Sequence, residues 1–156
     1  MLRYEVGDAS APPRGSRAII AHVCNDLGRW GAGFTRAISH RWPTVEHVYR
    51  TDLRLGHVTF LRVIDFAVHY PCLVVANMVA QRGVGRGVRR IDDTALATCL
   101  RHVQELALRE RRPVYMPRIG CGLAGATWSE IEPIVQRHLI DALPSTIDVV
   151  VRDLPA

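Results

Sequence analysis

Three short stretches combine residue types and spacings suited to holding a phosphate-bearing nucleotide. In Val6-Gly7-Asp8-Ala9 an acid follows a strand-like run and a glycine, where its carboxylate can accept from the exocyclic amino group of a base. The same residues also make an ordinary turn. In Cys24-Asn25-Asp26-Leu27-Gly28-Arg29-Trp30-Gly31-Ala32-Gly33-Phe34, three glycines and an alanine allow close backbone approach. The helix start beyond them offers free N–H groups to a diphosphate. The third stretch, Met116-Pro117-Arg118-Ile119-Gly120-Cys121-Gly122-Leu123-Ala124-Gly125, again leaves a strand-like run shortly before a helix. Two such loops can grip one pyrophosphate from both sides, through backbone N–H groups rather than charge.

Within these loops the side chains have competing roles. Asp26 is the one carboxylate of the second loop, which makes it the candidate general base, and an exposed turn acid is the equal alternative. Cys121 sits between two glycines as a small filler of tight backbone, because no histidine lies nearby in sequence to activate it. Trp30 either closes over a ligand or packs on the core. The seven histidines show no HExxH pattern or paired spacing, so no metal site is expected. Neither GxGxxG nor GxxxxGK[ST] occurs, and a chain without lysine cannot carry the latter.

The elements that must position these loops follow from hydrophobic pattern. Residues 2–6 form a short strand-like run, followed by a Pro/Gly/Ser connection over 9–16. Residues 17–24, 58–64, 72–80, 114–116 and 147–151 are continuously apolar, as strands buried inside an α/β sandwich are. Helical patterns cover 33–40, 44–53, 92–111 and 129–142, the third with acids first and arginines last, as the helix dipole favours. The last begins near Thr127 or Trp128, with Pro133 close enough to the start to be tolerated. Strands alternating with helices predict a three-layer α/β/α sandwich with a central mixed sheet, residues 1–156 forming one domain. Ligands in such sheets sit at the carboxyl ends of strands.

Composition narrows the function classes. A chain of 156 residues, 48% hydrophobic, buries enough surface to need no staples. Its four cysteines form no CxxC pair, which argues against a zinc ribbon or disulfide scaffold and for reduced thiols in a cytoplasm. No leader pattern opens the chain and no apolar run reaches membrane-span length, so neither export nor a membrane partner is expected. All basic residues are arginine, and the net charge of +5 suits anionic partners without specifying a mode.

In order and spacing, Val6-Gly7-Asp8, Cys24-Asn25-Asp26 with Trp30-Gly31-Ala32-Gly33, Ala76-Asn77-Met78 and the octet Met116 to Leu123 resemble the macrodomain family over nearly the whole chain. The octet is similar to the branch of terminal ADP-ribose protein glycohydrolase and ADP-ribose 1''-phosphate processing proteins. The resemblance implies that Asp8 holds the adenine amino group, with Ala9 adding a backbone contact and Asp153 and Leu154 flanking the ring. It implies that Gly31, Ala32, Gly33 and Phe34 embrace the distal ribose and one phosphate, with Asn25 on a ribose hydroxyl. It also implies that Ile119, Gly120, Cys121, Gly122, Leu123 and Ala124 cradle the diphosphate.

The chain departs from that branch at two points. The branch's catalytic lysine has no counterpart, Gln81 or Arg82 standing in its neighbourhood, and Ala124 follows the GCGL segment where the branch has an aspartate. The covalent route is thereby removed. What remains is attack by a positioned water, with Asn25, Asp26 and Gln81 as candidates to hold it and no cofactor required. The expected partners are ADP-ribose and ADP-ribosylated proteins, with ADP-ribosylated nucleic acid a further possibility. Hydrolysis of acidic side-chain esters is the expected activity; a non-catalytic reader and an ADP-ribose 1''-phosphate phosphatase are the alternatives.

Overall fold

The period of the apolar residues decides where each segment goes. In a computed structural model describing residues 1–156, the strands are β1 (Leu2–Val6), β2 (Ile19–Asn25), β3 (Val58–Asp65), β4 (Tyr70–Gln81), β5 (Val114–Met116) and β6 (Val149–Asp153). The helices are α1 (Phe34–Arg41), α2 (Thr44–Tyr49), α3 (Asp93–Glu110) and α4 (Trp128–Val135). The strands form one sheet in the order β1-β6-β5-β2-β4-β3. All neighbours are parallel except β3, which pairs antiparallel with β4.

Alternate residues of the central strands point to opposite faces, and both faces are apolar because both are covered. Ile19 and Ala21 of β2 pack with Leu96, Leu100 and Val103 of α3 and with Ile131 and Val135 of α4. Ile20 packs on the other side with Ile38 of α1, with Trp42 between the two helices and with Val45 of α2. The result is the mixed-sheet α/β/α sandwich that the pattern predicts.

Four expectations change in substance, the other bounds shifting by one or two residues. The run at 58–64 is not a buried central strand: β3 is the sheet edge, and its burial alternates, with Phe60 and Ile64 exposed. The second helix stops at Tyr49 rather than 53, because Thr51 N–H turns back to the Val48 carbonyl at 3.1 Å and tightens the chain. The final helix is α4 followed by one π-type turn over Gln136–Ile140, closed by Asp141 N–H on the Gln136 carbonyl. That extra residue brings Leu139 and Ile140, neighbours in sequence, both into the core. The last strand runs to Asp153 because its register with β1 pairs Val6 with Asp153.

Five parallel strands therefore end at one edge of the sheet. The loops leaving Val6, Asn25, Gln81, Met116 and Asp153 converge there.

Candidate functional site

Three adjoining chambers run along that edge. The first, of about 300 Å³, lies between the ends of β1 and β6 and the start of α1. Gly7 N–H donates to the Asp153 carbonyl at 2.8 Å, which ties the first loop to the last strand. Asp8 Oδ1 accepts from Ser10 N–H and Oγ–H at 2.8 and 2.7 Å, leaving Oδ2 toward the chamber rim, 3.6 Å from Arg41. Burial alone would raise the Asp8 carboxyl, but the Ser10 donors and the Arg41 guanidinium outweigh it and hold the pKa below its ordinary value. Ala9, Phe34 and Leu154 supply apolar walls, and Arg152 braces the loop by donating to the Asp8 and Ala11 carbonyls.

The second chamber, about 150 Å³, shares Pro117 and Arg118 with the first and is framed by the loop after β5. In that loop only the N–H groups of Cys121, Gly125 and Ala126 find acceptors in the chain. Those of Gly120, Gly122, Leu123 and Ala124 find none, although Gly120 and Ala124 are buried. Buried N–H groups are normally paired, so a cluster of unpaired ones lining a cleft is a site for anionic oxygens.

The third chamber, about 200 Å³, shares Gln81 and Leu123 with the second and lies between the second loop and residues 82–90. Asn25 Oδ1 accepts from Leu27 N–H and Arg29 N–H, its Nδ2 donates to the Arg29 carbonyl, and the Tyr49 hydroxyl donates to the Asn25 backbone carbonyl at 2.5 Å with Oδ1 also near at 3.0 Å. The side-chain carbonyl is saturated, so Asn25 offers the chamber one amide hydrogen as a donor. Gln81 is turned the other way: its Nε2 donates to the Gly83 carbonyl at 2.9 Å, and its Oε1 is free to accept. Burial holds the Tyr49 phenol above its ordinary pKa, so it remains a donor. Trp30 packs on the core, its ring against His22 and Tyr49, and it also lines the chamber.

Behind the third chamber, His22 is fully buried and its Nε2–H donates to Asn77 Oδ1 at 2.5 Å. Burial pushes its pKa from 6.5 down to about 4. The unfolded chain binds the proton first as pH falls, so folding is weakened by about 2 kcal/mol between about pH 7 and about pH 5. Denaturant midpoints across that range are expected to track this loss, and His22→Gln, which keeps a donor for Asn77, is expected to remove most of it. Equal slopes in the two proteins would assign the acid sensitivity elsewhere.

The geometry redistributes several sequence-stretch assignments. Asp26 lines none of these chambers: it is half-buried, and its Oδ1 accepts from Gly83 N–H at 2.8 Å and tethers the 82–90 segment, so it is neither an exposed turn acid nor placed beside the distal chamber as a base. Phe34 belongs to the first chamber rather than the third, because it opens α1 and helical side chains lean toward the N-terminus. The Cys121 thiol packs against the core, burial raises its pKa, and its N–H donates to the Arg118 carbonyl, so that residue lines none of the chambers. Ala32 lines the third chamber, whereas Gly31 and Gly33 shape the loop without lining it. Arg118, Arg152 and Tyr49 were not singled out from the sequence. Arg152 carried a usable signal, being a charge directly after the apolar run of β6.

No family model matches the chain. Its fold matches the structure of a macrodomain protein from Streptomyces coelicolor at 39% identity and a TM-score of 0.79, over 98% of this chain and 99% of that one. A protein of unknown function from Bacteroides thetaiotaomicron matches at 37% identity and a TM-score of 0.86, over 99% and 98%. Among curated proteins, an ADP-ribose 1''-phosphate phosphatase of Lodderomyces elongisporus is 22% identical over 96% of this chain and 98% of its own length. An ADP-ribose glycohydrolase of Bos taurus is 23% identical over 86% and 82%. A mouse chromodomain-helicase-DNA-binding protein 1-like is 30% identical over 88% of this chain, which spans only 16% of that protein.

Proposed function

The chain belongs to the macrodomain family, and on that premise we propose that it binds ADP-ribose along the three chambers and hydrolyses it from esters on acidic protein side chains. The observation that carries this reading is the cluster of unpaired N–H groups of Gly120, Gly122, Leu123 and Ala124 at the waist of the cleft. They receive the diphosphate, with the base toward Asp8 and Leu154 and the distal ribose toward Asn25. An ADP-ribose 1''-phosphate phosphatase and an ADP-ribose glycohydrolase among the relatives support chemistry on this ligand.

In the proposed reaction, water attacks the anomeric carbon and forms the new C–O bond while the bond to the carboxylate breaks. The carboxylate leaves as a stable anion, so positioning can replace a strong nucleophile. Gln81 Oε1 accepts from the water and orients it, and Asn25 donates to the ribose. The released proton passes to a phosphate oxygen of the ligand and then to solvent. No carboxylate, imidazole or thiol lines the distal chamber; its one ionisable side chain is Arg29.

The test is release of ADP-ribose from a protein mono-ADP-ribosylated on glutamate or aspartate, followed from about pH 5 to about pH 8, the range where histidine switches operate. Release above a buffer control, at a rate flat with pH, is expected. A bell-shaped profile would mean that a protein acid or base takes part, against this mechanism. Tight binding of ADP-ribose without release would favour a reader, the reading suggested by the missing lysine.

A further inference from the structure

Arg118 stands where the first and second chambers meet and lines both. Its guanidinium is held from several sides. Nε and Nη2 donate to the two carboxylate oxygens of Asp153 at 2.7 and 2.9 Å. Its carbon lies 5.3 Å from the centroid of the Tyr4 ring and 5.6 Å from that of Trp128. Trp128 Nε1–H in turn donates to the Tyr4 hydroxyl at 2.8 Å, so the two rings hold each other. Nη1 has no acceptor in the chain.

An arginine that only bridged surface elements would contribute little, since exposed ion pairs are weak. A planar cation fixed by a bidentate carboxylate, with one nitrogen free at the waist of a ligand cleft, is instead prepared to bind an anion. We propose that Arg118 is a ligand-binding residue, its Nη1 donating to the diphosphate, so that recognition there combines charge with the backbone N–H groups. Asp153 is then a positioning residue for Arg118 rather than a partner of the base. The proposal rests on the assignment of the cleft to ADP-ribose.

Calorimetric titration of wild type, Arg118→Gln and Asp153→Asn with adenosine, ADP and ADP-ribose, at low and high salt, tests it. Both substitutions break the same ion pair, so any loss from that pair alone is common to them. Arg118→Gln is expected to weaken ADP and ADP-ribose about tenfold, the lower end of a charge-assisted hydrogen bond, to leave adenosine unchanged, and to flatten the salt dependence. Asp153→Asn is expected to keep the salt dependence, because the cation remains. Equal losses in both variants for all three ligands would overturn the proposal and leave Arg118 a structural brace. Failure of the wild type to bind any of the three would overturn the ADP-ribose assignment and this proposal with it.

Discussion

Asn25→Ala is expected to slow release of ADP-ribose about a hundredfold or more, the cost of removing one preorganised donor from a reacting centre. The substitution acts twice. It deletes the amide hydrogen that Asn25 presents to the distal chamber, and it deletes the acceptor shared by Leu27 N–H and Arg29 N–H, while the Tyr49 hydroxyl keeps the Asn25 backbone carbonyl. The Arg29 carbonyl loses its donor as well. The turn is then left to Arg50 on the Gly28 carbonyl and to Thr35 on Gly31 N–H and the Ala32 carbonyl, and Trp30 and Ala32 shift against Gln81. Affinity for ADP, which lacks the distal ribose, should change little, because the base and diphosphate chambers lie on other loops. Single-turnover release and ADP titration, run on the same preparation, separate these effects. Release within a few-fold of wild type would remove Asn25 from the mechanism.

The sandwich was legible because its signals are local and repeated. Unbroken apolar runs mark strands covered on both faces, and the acid-to-arginine polarity of α3 marks a helix with a defined direction. β3 misled because Val58, Phe60, Leu61, Val63 and Ile64 are apolar whether or not both faces are covered, and edge position is set by strand order, which no local pattern encodes. In the site, the glycine loops were visible as sequence because close backbone approach needs glycine. The fate of individual side chains was not. Asp26 and Asn25 are adjacent and of similar type, yet one bonds across to Gly83 and the other turns into the chamber. That difference depends on a register shift between Cys24 and Asn25 where β2 pairs with β4. Arg118 was hidden for a similar reason: its role comes from Asp153, Tyr4 and Trp128, which are distant in sequence.

Two glycines of the third loop are expected to fail in opposite ways. Gly125 has φ +79°, and a Cβ there would lie 2.9 Å from the Val88 carbonyl oxygen and 3.3 Å from Arg89 Cα. Both obstacles are backbone, so neither can rotate aside. They belong to the segment that Arg90 N–H pins to the Ala124 carbonyl at 2.7 Å. Gly125→Ala therefore combines a left-handed conformation with a forced separation of two loops, at a cost of ~2–3 kcal/mol. For a chain of this size that lowers Tm by roughly 5–10 °C. Gly122 is different: a Cβ there meets nothing within 4 Å, and the residue lines the waist of the cleft. Gly122→Ala should leave the melting temperature near that of wild type and weaken ADP and ADP-ribose, because the methyl group projects where the diphosphate must approach the N–H groups. Thermal melts and ADP titrations of the two variants decide the matter together. If Gly122→Ala bound ADP as wild type does, the diphosphate would have to lie away from this loop, and the unpaired N–H groups would need another explanation.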